Sequence, residues 1–99
     1  MAKILVTDGM DKNAAQQLRE LGHELIEEHY EIEELLNQIK HVDAIIIRSA
    51  TKIRKNVIDA ACETNQLQQI IRAGVGVDNI DVDYALECGI KVNNTPSAS

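Results

Sequence analysis

Short β-rich runs begin near Lys3, Glu24, Ala44, Gln68 and Lys91, so a strand returns every twenty to twenty-four residues, with helical period in between. That rhythm constrains the fold more than any other feature. A strand, a helix and a second strand of the same sheet make a right-handed crossover, and repeating the unit builds a parallel sheet. With 99 residues the chain is long enough for one domain of this kind.

The individual segments agree. Residues 3–7 read KILVT, a nearly continuous apolar run of the type covered on both faces. Asp11 fits the N-cap of a helix whose inner face is Ala14, Ala15, Leu18 and Leu21, with Gly22 as its C′ residue. Residues 23–27 form a more polar strand, expected at an edge. Ile32, Leu35, Leu36 and Ile39 fall at i, i+3, i+4 and i+7 and predict a second helix. Residues 44–47 are the most apolar strand and should be central. Val57, Ile58, Ala61 and Cys62 mark a third helix, and residues 67–71 a fourth strand. Asp81 can cap a fourth helix with Val82, Ala85 and Leu86 inward, closed by Gly89, before a short fifth strand at 90–92.

Five strands and four helices in strict alternation predict an α/β, flavodoxin-like doubly wound parallel five-stranded sheet, order 2-1-3-4-5, with helices on both faces. Ligands of such sheets bind beyond the carboxyl ends of the strands, which singles out the loops at 8–11, 48–52, 73–79 and 93–99. No helix pattern follows the fifth strand. A C-terminal partner, either another chain or further sequence, is expected to cover it.

Charge narrows the function. Ten Lys plus Arg against sixteen Asp plus Glu give a net charge of −6, and the only aromatics are two Tyr. A general nucleic-acid binder needs a basic surface and usually stacking aromatics, and docking on anionic lipid needs the same sign of charge. The longest apolar run, at 44–47, is far short of the roughly 20 residues of a membrane span. The N-terminus carries no signal-peptide core, and a cytoplasmic protein is expected. Cys62 and Cys88 fit no metal or redox spacing and read as buried, reduced thiols. Seven carboxylates and no Lys or Arg lie at 20–34, whereas five cations and one Asp lie at 40–55. These are either two solvated faces or, more sharply, a sign that Arg48 at the end of the central strand serves an anionic ligand.

Several known uses of the fold fail at the loops. A phospho-receiver needs an Asp after strand three and a Lys after strand five; here stand Arg48-Ser49 and Asn93-Asn94-Thr95. A flavin carrier needs a hydroxyl-rich loop after strand one, and Thr7-Asp8-Gly9-Met10 has one hydroxyl. Gly74-Val75-Gly76-Val77-Asp78-Asn79 is not a dinucleotide fingerprint, because its sixth residue is Asn79 and it follows strand four. Its glycines can still turn sharply and present successive N–H groups to carboxylate or phosphate oxygens, or form a plain turn. His23, His29 and His41 share no catalytic or metal spacing and read as surface residues. No catalytic constellation appears.

Four strings read together carry a resemblance: IRSATK at 47–52, NVIDAA at 56–61, RAGVGVDNID at 72–81 and NTP at 94–96. Over nearly its whole length, 3–96, the chain resembles the NAD-dependent D-2-hydroxyacid dehydrogenases. The Arg-Ser-Ala-Thr-Lys string points to the branch acting on D-3-phosphoglycerate. One departure is that 62–71 is a few residues longer than usual. The resemblance implies that residues 1–99 are a substrate-binding domain ending at the hinge into an absent NAD-binding Rossmann domain. A late helix would return to complete the first domain. The family's catalytic Arg, Glu and His come later, so no catalytic residue is assigned here. The fragment alone is expected to be inactive and monomeric, the intact enzyme homo-oligomeric. The implied reaction passes hydride from C2 of D-3-phosphoglycerate to NAD⁺, giving 3-phosphohydroxypyruvate for serine biosynthesis. By the same resemblance, the Gly74-Val75-Gly76 backbone binds the substrate carboxylate, and Val75 touches the nicotinamide end of the cofactor. Arg48 and Ser49 hold the phosphate, Arg72 lies near the anion, and Asn79 braces the loop. Lys52, Arg54 and Lys55 are left as solvated charges. The alternative is a stand-alone, non-catalytic module of this fold that binds small anions or pairs with another chain.

Overall fold

The computed structural model describes residues 2–9, 12–48, 51–72 and 79–94. Five strands, β1 (Lys3–Val6), β2 (Glu24–Glu27), β3 (Ala44–Ile47), β4 (Gln69–Arg72) and β5 (Lys91–Asn94), pair in the order β2-β1-β3-β4-β5. Every pairing is parallel. The helices are α1 (Lys12–Glu20), α2 (Ile32–Gln38), α3 (Lys55–Thr64) and α4 (Val82–Glu87), and one turn of 3₁₀ helix, Ile39–His41, continues α2. This is the expected doubly wound sheet, with polar β2 at one edge and β3 in the centre.

Alternation along each strand sorts the core into two layers. Leu5, Ile45, Ile47 and Ile70 point to one face, where they meet Leu35 and Ile39 of the second helical segment, Val57, Ile58 and Ala61 of α3, and Ala85 of α4. Ile4, Val6, Ala44 and Ile46 point to the other face and pack with Leu18 of α1, Leu25 and Ile71. All four residues of β3 are buried, as a strand sandwiched between helical layers requires. Lys91 and Asn93, on the α1 side of β5, are exposed. No helix among the described residues is long and apolar enough to cross a membrane.

The helix ends obey local chemistry in part. Gly22 and Gly89 close α1 and α4 with φ of 94° and 83°, left-handed conformations that a side chain disfavours. Asp11 lies outside the described residues. Asp81 precedes α4 at the N-cap position but makes no capping bond with its side chain; its carboxylate lies 3.4 Å from Arg54 instead. Arg54 is therefore ion-paired rather than simply solvated.

Three apolar residues assigned to inner faces are exposed. Leu21 is 73% exposed because α1 stops at Glu20. Leu86 is 55% exposed because α4 has only six residues, and Val82 and Ala85 already fill its inner stripe. Ile32 is 47% exposed at the first position of α2. Two strands also shift: β4 starts two residues later than the apolar run, paired Ala44↔Gln69 through Ile47↔Arg72, and β5 reaches Asn94. Cys62 and Cys88 are free thiols, half-buried rather than buried.

Candidate functional site

The carboxyl ends of β1, β3 and β4 lie side by side, and the residues just past them form one hydrogen-bonded unit. Thr7 and Asp8 follow β1. Asp8 is followed by Gly9 with φ of 77°, a left-handed residue that turns the chain away from the sheet. The Asp8 side chain is 3% exposed. Its Oδ2 accepts the backbone N–H of Arg48 at 2.8 Å and that of Thr51 at 3.0 Å, and its Oδ1 accepts the Thr51 hydroxyl at 2.6 Å. The Thr7 and Thr51 hydroxyls are 2.8 Å apart.

Arg48 and Thr51 are also held by Asn79. Asn79 follows the glycine loop and is 9% exposed. Its Nδ2 donates to the carbonyl of Arg48 at 2.7 Å and to that of Thr51 at 2.6 Å. Its Oδ1 accepts from Nε of Arg72 at 3.2 Å. Beyond the turn, Ile53 and Ile80 form an isolated parallel bridge, with Ile53 N–H donating to Asn79 O at 2.8 Å and Asp81 N–H to Ile53 O at 2.9 Å. The β3–α3 and β4–α4 loops are thus stitched to each other and to the tip of β1.

Burial raises the Asp8 pKa, but donation from the Thr51 hydroxyl, from the Arg48 and Thr51 amides and the charge of His29 outweigh it. The carboxyl therefore titrates below its ordinary 3.8 and is ionised at neutral pH. A folded-state pKa below the unfolded one stabilises the fold above the unfolded value, and that contribution is lost as pH falls through the folded one. Stabilities of the native chain and of Asp8→Asn from urea unfolding should therefore differ by about 1.5–3 kcal/mol at pH 7, the typical value for a hydrogen bond to a charged group. The gap should begin to narrow as the pH falls below the ordinary 3.8 and close once it passes below the folded value. A gap that persists unchanged at pH 2 would show that the charge of Asp8 is not what secures the turn.

Of the six residues expected to bind substrate, the structure brings Arg48 and Arg72 together. Arg72 pairs with Ile47, the residue before Arg48, and both arginines share Asn79 as a partner. Arg48 is exposed. Asp8 accepts its backbone amide, and among the described residues no carboxylate pairs with its guanidinium. Ser49, Gly74, Val75 and Gly76 lie outside the described residues.

Sequence reasoning left Asp8 and Thr51 without a role and gave Asn79 a minor one. An Asp placed directly after an apolar strand and before a glycine is the signal that marks Asp8 as an acceptor for neighbouring loop amides. His29 is half-exposed as expected, yet its Nδ1 sits 3.6 Å from Asp8 Oδ1 and 3.3 Å from the Thr7 carbonyl, at the rim of this unit. His23 Nδ1 accepts the Ala2 N–H at 3.0 Å at the opposite end of the sheet.

What the arrangement can do is bind an anion. Arg48 and Arg72 stand at the carboxyl ends of neighbouring strands, and guanidinium forks match carboxylate and phosphate oxygens. Known proteins share this scaffold. Residues 4–99 match the family described as D-isomer specific 2-hydroxyacid dehydrogenase, catalytic domain. The whole chain is 48% identical over 99 residues to a D-3-phosphoglycerate dehydrogenase of Methanocaldococcus jannaschii, and spans 18% of that protein. It is 46% identical over 98 residues to a hydroxypyruvate reductase of Thermotoga maritima, with 98% of the chain covering 31% of that protein. Among solved structures, the NAD⁺-bound 3-phosphoglycerate dehydrogenase of Entamoeba histolytica superposes with a TM-score of 0.76 at 36% identity, over 96% of this chain and 33% of that one. The chain thus spans about a fifth to a third of the length of these proteins.

Proposed function

Because the chain belongs to the D-isomer specific 2-hydroxyacid dehydrogenase family, through its catalytic domain, we propose that it holds the substrate of an NAD-dependent dehydrogenase acting on D-3-phosphoglycerate. The observation that carries this reading is that Arg48, through its backbone carbonyl, and Arg72, through its Nε, both meet Asn79 at the carboxyl edge of the sheet. In it, Arg48 with Ser49 binds the phosphate, and the backbone of Gly74-Val75-Gly76 takes the carboxylate. Arg72 adds positive charge between the two ends, and residues 1–99 act as the substrate-binding domain. The product is 3-phosphohydroxypyruvate, a precursor in serine synthesis.

The described residues do not fit the phosphates of NAD. In a dinucleotide fold the turn after the first strand offers glycine amides to a pyrophosphate. Here that turn carries the Asp8 carboxylate, already engaged by three donors and kept ionised. A pyrophosphate would face its charge. No step through the cofactor is derived from these residues, and the reading assigns NAD to a separate Rossmann domain, with Val75 at most touching the nicotinamide end. The work of this chain is binding and orientation.

The Thermotoga relative, a hydroxypyruvate reductase, supports a second substrate, unphosphorylated hydroxypyruvate, whose reduction at C2 gives glycerate. Calorimetric titration of the chain with D-3-phosphoglycerate and with D-glycerate separates the two. The phosphoglycerate reading expects at least about tenfold tighter binding of the phosphorylated acid, the usual worth of one charge-assisted contact. Equal binding would favour the glycerate reading, and no binding of either would end both.

A further inference from the structure

Asn79 does more than brace a loop. A side-chain amide has two N–H donors and one carbonyl acceptor, and Asn79 uses all three on residues of the proposed anion site. Both donors go to backbone carbonyls, those of Arg48 and Thr51, and the acceptor takes Nε of Arg72. Asp8 grips the amides of the same two residues, Arg48 and Thr51, from the opposite side. Arg48 and Thr51 are therefore pinned at four backbone atoms by two side chains, and Asn79 also bonds to the second arginine. No other uncharged side chain of that length donates twice and accepts once. An isosteric Asp would turn its negative oxygens toward two carbonyls, and Leu would leave both carbonyls and Arg72 without this partner.

We infer that Asn79 is a positioning residue that sets the preference for a phosphorylated ligand, by holding the Arg72 guanidinium through Nε and fixing the backbone from which Arg48 projects. The inference rests on the phosphoglycerate reading above and adds to it the residue through which the two cations act together. Preorganisation is the physical basis. Arg72, whose Nε is already held by Asn79, loses less side-chain freedom on binding than an arginine the ligand must order, and Arg48 starts from a backbone fixed at both its amide and its carbonyl.

The test is a double-mutant cycle on the chain, read as the ratio of affinities for D-3-phosphoglycerate and D-glycerate at a temperature where circular dichroism shows every variant folded. Asn79→Ala is the informative substitution because it adds no charge. We expect it to weaken phosphoglycerate binding about tenfold while changing glycerate binding less than about twofold. In an Arg48→Ala background it should then change the ratio far less, because the phosphate contact whose placement it supports has gone. A role confined to stability would lower both affinities together and leave the ratio where it was. If the native chain prefers phosphoglycerate and Arg48→Ala abolishes the preference but Asn79→Ala does not, the positioning inference falls and the substrate reading survives. If the native chain shows no preference, both fall. If Asn79→Ala and Arg48→Ala act additively on the ratio, Asn79 acts independently of Arg48 and the inference is overturned.

Discussion

Replacing Ile45 by alanine is expected to cost the chain about 2–5 kcal/mol of stability, the range for truncating a fully buried branched side chain. Ile45 is 0% exposed and sits on β3, flanked in register by Leu5 of β1 and Ile70 of β4, which are also fully buried. Its side chain faces the layer where α2, α3 and α4 meet the sheet. The cavity would open in the centre of the larger core, with strands on both sides and little freedom to collapse. Domains of this size have roughly 5–15 kcal/mol in total, so a large share of the stability goes with one side chain. Leu21→Ala is the matched control. The residue is 73% exposed, and its loss should stay within about 0.5 kcal/mol. Urea denaturation of the two variants decides the matter. An Ile45→Ala loss below about 1 kcal/mol, or a Leu21→Ala loss as large as that of Ile45→Ala, would contradict the layer assignment.

Arg48→Ala should act on binding and not on folding. Its side chain lies at the surface and among the described residues pairs with no carboxylate, while its backbone is held by Asp8 and Asn79 whatever the side chain is. Stability is thus expected to change by no more than about 0.5 kcal/mol. Affinity for D-3-phosphoglycerate should fall by about 1.5–3 kcal/mol, the worth of a hydrogen bond to a charged group, or roughly ten- to a hundredfold. Affinity for D-glycerate should barely move. The opposite pattern, a destabilised chain with unchanged affinity, would mean that the guanidinium serves the fold.

The sheet was legible because its causes are local and periodic. Residues 44–47 had to be a central strand once four apolar residues in a row were flanked by polar ones, and Gly22 and Gly89 marked helix ends through a conformation that side chains avoid. Helix inner faces were less legible. Leu21 and Leu86 fit the stripe of their helices, but α1 and α4 are too short to bring them to the sheet. The positions of Arg48 and Arg72 at the carboxyl ends of β3 and β4 were legible, because they follow from strand order. The frame around them was not. Asp8 meets Arg48 across forty residues and Asn79 meets Thr51 across twenty-eight. Such side-chain-to-backbone bonds depend on how loops lie in space and leave no spacing in the sequence. Asp81 shows the same limit: it stands where a cap should, and an arginine twenty-seven residues earlier takes its carboxylate.

The central claim, that the carboxyl edge of β1, β3 and β4 holds the substrate, is tested most directly by following backbone amide resonances of the ¹⁵N-labelled chain during titration with D-3-phosphoglycerate. The account predicts saturable shifts confined to residues 8–9, 48–52 and 72–79, with the amides of Arg48 and Thr51 among the largest. Shifts centred on the opposite end of the sheet, around Ala2, His23 and Asp43, or no shifts at millimolar ligand, would contradict it.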